Sequence, residues 1–93
     1  MRFKWDEKKN DTLKKARGMG FDEVLELFEK PYHLSQKNDD PEQWRAIGWV
    51  KSLLFAVIYE EREDEEGLFY WLVTFWPATK TERKLYDEAQ KTD

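Results

Sequence analysis

Residues Leu68 to Arg83 read Leu-Phe-Tyr-Trp-Leu-Val-Thr-Phe-Trp-Pro-Ala-Thr-Lys-Thr-Glu-Arg. The first nine are aromatic, β-branched or leucine, the composition of a strand packed on both faces. Pro77 ends the run, and Thr79-x-x-Glu82 has the spacing of a capping box, in which the Thr side chain takes the amide at Glu82 and Glu82 reaches back. The spacing predicts a final helix from Lys80 to about Gln90, with Leu85, Tyr86 and Ala89 turned inward. Strict alternation places Phe69, Trp71, Val73 and Phe75 on one face of the strand. Leu68, Tyr70, Leu72, Thr74 and Trp76 fall on the other. One face is expected against helices; the other needs its own cover, from the last helix, a partner protein or a ligand.

Two further strands are expected before this one. The first covers about Gln43 to Trp49 and the second about Ser52 to Tyr59, joined tightly at Val50-Lys51. Glu60 to Gly67 reads as a charged hairpin loop. Short connections of this kind impose antiparallel pairing, because a parallel pair needs a long crossover. Tyr32 to Leu34 form a candidate edge strand, and Asn38-Asp39-Asp40-Pro41 is rich in turn-formers.

At the start, Phe3 and Trp5 alternate with Arg2 and Lys4, the period of a half-buried strand, and Asp6 is placed to cap the first helix. The helix expected over residues 7 to 17 carries Lys8, Lys9, Lys14, Lys15 and Arg17 and offers only Leu13 and Ala16 inward. It should lie largely exposed until Gly18 and Gly20 stop it. Phe21, Val24, Leu25 and Phe28 recur at helical spacing, predicting an amphipathic helix from Asp22 to Glu29 with Asp22 as N-cap and Pro31 beyond its end.

Composition narrows the function classes. Ninety-three residues fit one domain, 1–93. There is no cysteine, so disulfides and thiolate metal sites are excluded, and folding rests on five Trp, four Tyr and six Phe. Sixteen Lys and Arg against twenty Asp and Glu give a net charge of −4, which argues against a general nucleic-acid binder, although the positive charge is concentrated in residues 2 to 17. No apolar run reaches the roughly 20 residues that span a bilayer, and the start lacks the apolar core of a signal peptide. A cytoplasmic setting is expected, with no membrane partner. Gly-rich phosphate loops, Ser-His-Asp arrangements and His/Cys clusters are missing, so no cofactor or metal is expected.

Three motif-like segments then stand in order: Phe3-x-Trp5-Asp6-x-x-Lys9 with Gly18 and Phe21 beyond it, Arg45 with Gly48, and Ala78-Thr79-x-x-Glu82-Arg83-x-x-Tyr86. Together they resemble the BrnT family of bacterial type II toxins over nearly the whole chain. The resemblance implies a RelE-like α+β fold: a small antiparallel sheet of about four strands, two N-terminal helices and a C-terminal helix. It also implies a metal-independent ribonuclease that blocks translation, neutralised by a cognate BrnA-like antitoxin of the ribbon-helix-helix type. RNA is then the substrate, and DNA is met only through the antitoxin. The chain departs from the family at Leu13, where the family has Asn, at Ala16-Arg17, where it has Lys-His, and at Trp76, where it has Arg.

Cleavage of RNA without a metal needs a base for the 2′-hydroxyl, cations for the charge on the phosphate, and an acid for the leaving oxygen. The cation candidates are Arg45, Arg83, Arg17 and Lys9. Arg83 sits in the first turns of the last helix, where amides and side chain together suit an anion; its competing role is a pair with Asp87 one turn on. Arg45 projects from a strand, and its competing role is an ion pair with the acidic loop. Trp76 is a candidate to stack on a base, or to pack under the last helix, and Tyr86 is a second substrate-binding candidate. His33, the single histidine, reads as an ordinary edge residue, and capping accounts for Asp6 and Glu82. Besides the toxin, two functions remain open: a catalytically silent homologue that binds protein or RNA, and an aromatic RNA-binding module.

Overall fold

A computed structural model describes residues 1–91, an α+β arrangement of one five-stranded mixed sheet and three helices. In chain order these are β1 (Arg2–Trp5), α1 (Glu7–Arg17), α2 (Phe21–Val24), a 3-10 helix (Leu25–Glu29), β2 (His33–Asp39), β3 (Glu42–Val50), β4 (Leu53–Asp64), β5 (Gly67–Pro77) and α3 (Lys80–Gln90). The sheet order is β1-β5-β4-β3-β2. β2 to β5 pair antiparallel through short turns, as expected. The purely antiparallel sheet of about four strands is corrected to a mixed one of five. β1 adds to β5 in parallel, with Arg2 opposite Phe69 and Trp5 opposite Leu72. Nearly the whole chain lies between these two strands, so the crossover that parallel pairing demands is available.

Helix boundaries follow local chemistry. The Asp6 carboxylate accepts from the amides of Lys8 (2.8 Å) and Lys9 (3.2 Å), and α1 closes at Gly18 in the left-handed region. The helix is exposed except at Asn10 and Leu13; Ala16, expected inward, faces solvent. Asn10 is held instead by its side-chain oxygen, which accepts the Phe21 amide at 2.7 Å and ties α1 to the next segment.

The single helix expected from Asp22 to Glu29 is corrected to the short α2 followed by the 3-10 helix, capped at Gly20 rather than Asp22. Phe21, Val24 and Leu27 are all fully buried. Phe21 and Val24 share one face of α2, and the three residues per turn of the 3-10 helix that follows keep Leu27 in line with Val24.

The stretch Glu60 to Gly67 is not a loop. Strands β4 and β5 continue to Asp64 and from Gly67, leaving only Glu65-Glu66 as the turn, with Gly67 at φ 108°. Acidic residues persist in this ladder because cations answer them. Arg2 and Lys4 of β1 each reach Asp64 at 2.7 Å, and Arg62 pairs with Glu60 at 2.8 Å. Likewise the turn between β3 and β4 falls at Lys51-Ser52, one residue beyond the expected Val50-Lys51, with Lys51 at φ 57° and its amide donated to Glu26.

The two faces of β5 also differ from strict alternation. Ile58 pairs with Thr74 but Tyr59 pairs with Leu72, so Val73 is an extra residue in a β-bulge. Past the bulge the phase inverts. Leu72 and Phe75 therefore share one core with Val57, Tyr59, Phe21, Val24 and Leu27, on the face covered by α1, α2 and the 3-10 helix. The opposite face carries Phe69, Trp71, Thr74 and Trp76. There, Ile47, Leu54 and Ala56 pack with Tyr86 of α3, and Trp49, Trp76 and Leu85 border them. α3 covers only part of this face. Over the rest, Arg2 and Lys4 lie across the Phe69 ring at 5.5 and 4.5 Å, and Arg62 lies over Trp71 at 4.6 Å. Among the described residues, no helix is long and apolar enough to cross a membrane.

At Gly48 the sheet lies close against the helices. A Cβ there would lie 3.0 Å from Leu27 Cγ and 3.1 Å from Tyr32 Cβ, so a side chain would push the 3-10 helix and the β2 entry away from β3.

Candidate functional site

The first turn of α3 gathers most of the candidate residues around Glu82. Thr79 caps the helix: its hydroxyl accepts the Glu82 amide at 3.1 Å, and the Glu82 carboxylate accepts the Thr79 amide at 2.9 Å. The same carboxylate accepts the Trp76 indole N–H at 2.9 and 3.2 Å and one Arg45 Nη at 3.4 Å. Glu82 is 4% exposed, so its charge is offset within the protein rather than by water.

Arg45 is set by the ladder. It stands on β3 between Ser35 of β2 and Ile58 of β4, pointing at α3. Its second Nη donates to Ser35 Oγ at 3.2 Å, while its Nε is buried without a partner. The competing role expected for Arg45, an ion pair with the acidic loop, is replaced by a pair with a carboxylate 37 residues away in sequence. Arg83, on the next position of α3, faces outward. Its guanidinium sits 5.5 Å from the Trp49 ring centroid, and its partner is this ring rather than Asp87. It borders a shallow depression of about 340 Å³ of mixed charge, lined also by Lys80, Lys84 and Lys91 and by the carboxylates Asp87 and Glu88. Tyr86 is buried, edge-on to Trp49 at 6.2 Å, and so supports the platform from beneath.

Four of the six sequence-predicted residues, Arg45, Arg83, Trp76 and Tyr86, meet here. Arg17 and Lys9 do not. Both belong to α1, whose Leu13 joins the core on the opposite face of the sheet, so no group of reaction size contacts them and Arg45 together. Trp76 takes the second of its two expected roles, packed beside α3 with its N–H committed to Glu82. His33 is half-buried on β2, opposite Ile47, as an edge-strand residue.

Three contributors escape sequence reasoning. Ser35 and Trp49 carry no motif. In the sequence, capping alone accounts for Glu82, a role that it fills while one oxygen remains free to bind Arg45; a buried carboxylate facing a strand arginine is visible only once the strand order is known. Chemically, the cluster presents one neutralised cation, Arg45, and one open cation, Arg83, on an aromatic support. The Glu82 oxygens are occupied by donors, which removes it from service as a base in this arrangement. Among the described residues, no group of three His, Asp or Glu side chains is placed to hold a metal ion.

No family model matches the chain, and no curated protein matches it either.

Proposed function

We propose that the chain is a BrnT-like toxin with the RelE-like variant of the α+β fold, one domain over 1–93. In this reading it is a cytoplasmic, metal-independent ribonuclease that blocks translation and is restrained by a BrnA-like ribbon-helix-helix antitoxin. The observation that carries the reading is the Arg45–Glu82 contact. These two residues come from separate segments of the resemblance, and their meeting gives both segments one physical purpose: to seat the first turn of α3 on the sheet and present Arg83 beside it. Gly48 fits the same reading, since the central segment needs a residue without a side chain where β3 meets Leu27.

Within this reading Arg83 and the neighbouring lysines of α3 receive the RNA backbone, and Trp49 offers a ring to a base. Arg45 engages phosphate after exchanging Glu82 for the substrate. A second reading is favoured by a specific observation: Glu82, the carboxylate beside Arg45, is saturated by Trp76, Thr79 and Arg45 and has no oxygen left to take a proton. On that reading the chain is a catalytically silent homologue that keeps the partner surface.

Expression of the chain with and without the neighbouring gene product separates the two. The toxin reading predicts growth arrest and fragmented RNA only when the partner is missing. Normal growth with intact RNA at high levels of folded protein leaves the silent reading. Arg83→Ala is the informative variant, because Arg83 is exposed and its loss should leave folding intact, whereas Arg45→Ala strands a buried carboxylate.

A further inference from the structure

On the sheet face away from α3, a pocket of about 310 Å³ opens between the start of β1, the 3-10 helix and β5, lined by Phe3, Leu25, Phe28, Tyr32, Tyr70 and Glu29. Met1 borders its mouth and is mostly exposed, so the pocket stays open to solvent. The four rings form a continuous wall: Phe3 to Phe28 at 4.9 Å, Phe28 to Tyr32 at 5.4 Å, and Phe3 to Tyr70 at 5.6 Å between centroids. Tyr70 is backed by Tyr59, stacked at 4.3 Å. The volume is at the lower end of small-molecule sites, about 300 Å³ and upward.

What distinguishes this wall is that no Lys or Arg side chain covers it. The aromatic faces of Phe69, Trp71 and Trp49 each carry an Arg or Lys of the protein's own. Among the described residues, no Lys or Arg side chain lies over Phe3, Phe28, Tyr32 or Tyr70, and the Met1 ammonium stands only at the exposed mouth. The one side-chain charge in the lining is Glu29, which is exposed at the rim and has no ion-pair partner among the described residues. Burial pushes the phenols of Tyr32 and Tyr59 up, so they remain protonated and neutral near neutral pH. Ring faces attract cations through their quadrupole, most strongly where water is displaced, and a carboxylate at the mouth adds to that attraction.

We propose that this pocket binds a small organic cation, a methylated ammonium head whose apolar surface rests on Phe3, Phe28, Tyr32 and Tyr70 while its charge faces Glu29. A primary ammonium keeps its hydration shell, whereas methylation spreads the charge over carbon surface that matches the rings. This binding does not depend on the ribonuclease reading, because the pocket and the α3 cluster lie on opposite faces of the sheet.

Titration of the purified chain with choline, and with its neutral isostere in which carbon replaces the nitrogen, tests the charge requirement directly. Choline is expected to bind at least about 5-fold more tightly than the isostere, with its methyl protons shifted upfield by the rings. Glu29→Gln, a change at an exposed position, should weaken choline about 3-fold while leaving the isostere and the circular dichroism spectrum unchanged. Equal affinity for the two molecules, no choline binding up to about 10 mM, or a Glu29→Gln variant with unaltered choline affinity would each overturn the proposal.

Discussion

Replacing Arg45 with Met removes the cation beneath α3 while keeping a side chain of similar length to fill the space. Glu82 then remains buried with its capping bond to Thr79 and its bond from Trp76, but with no opposite charge. Breaking a fully buried pair costs about 3 to 5 kcal/mol. The Arg45 side chain is 23% exposed and Glu82 keeps its other two donors, so the expected loss here is about 2 kcal/mol. In urea denaturation this appears as a fall of about 1 to 2 M in the midpoint with an unchanged slope. Adding Glu82→Gln removes the stranded charge yet keeps an oxygen for the Thr79 and Trp76 donors. The double variant should therefore be more stable than Arg45→Met alone. Additive losses to within about 0.5 kcal/mol would refute the reasoning, since independent sites behave that way and a coupled charge pair does not.

Other outcomes rest on single contacts. Gly48→Ala should lower stability by about 1 to 3 kcal/mol, read by the same denaturation, because the new methyl meets Leu27 and Tyr32. Thr79→Ala should cost about 1 kcal/mol and fray the first turn of α3, seen as faster amide exchange at Glu82 and Arg83. Arg2 and Lys4 hold the Asp64 carboxyl well below the usual carboxylate range. A depressed folded-state value means stabilisation that is present above the unfolded value, near pH 4, and lost as pH falls further. The difference in melting temperature between wild type and Asp64→Asn should hence be largest near neutrality and shrink steadily below about pH 4; a pH-independent difference would contradict this pairing.

Features encoded by neighbouring residues were legible in the sequence. The Asp6 cap, the Thr79–Glu82 capping box and the strand Leu68 to Trp76 each depend on residues a few positions apart, where side-chain type decides backbone geometry. What the pattern hid depends on partners. An extra residue at Val73 leaves apolar residues on both sides of the count, so the inversion of face at the bulge has no compositional trace. The acidic run Glu60 to Asp64 reads as loop until Arg2, Lys4 and Arg62 are seen to neutralise it across the strands. The 3-10 helix was concealed because Leu25 and Phe28 satisfy a helical period while Leu27, the residue that is fully buried, satisfies a period of three.

The candidate site was half legible for the same reason. Arg45, Arg83, Trp76 and Tyr86 converge because local signals suffice to place a strand arginine and the first turns of the last helix. Lys9, from the opening motif, and Arg17, by its charge, group with them in the sequence, but the sheet separates α1 from α3. The neutralising contact with Glu82 needs the order of strands β2, β3 and β4, which pairing rather than composition decides.

The most direct test of the functional account is the chemistry of RNA ends in cells that express the chain without its neighbouring gene product, compared with cells expressing Arg83→Ala at equal levels. The account predicts new 2′,3′-cyclic phosphate ends with the wild-type chain, the product of metal-independent attack by the 2′-hydroxyl, and their loss in the variant. RNA that stays intact while the folded wild-type protein accumulates would contradict it.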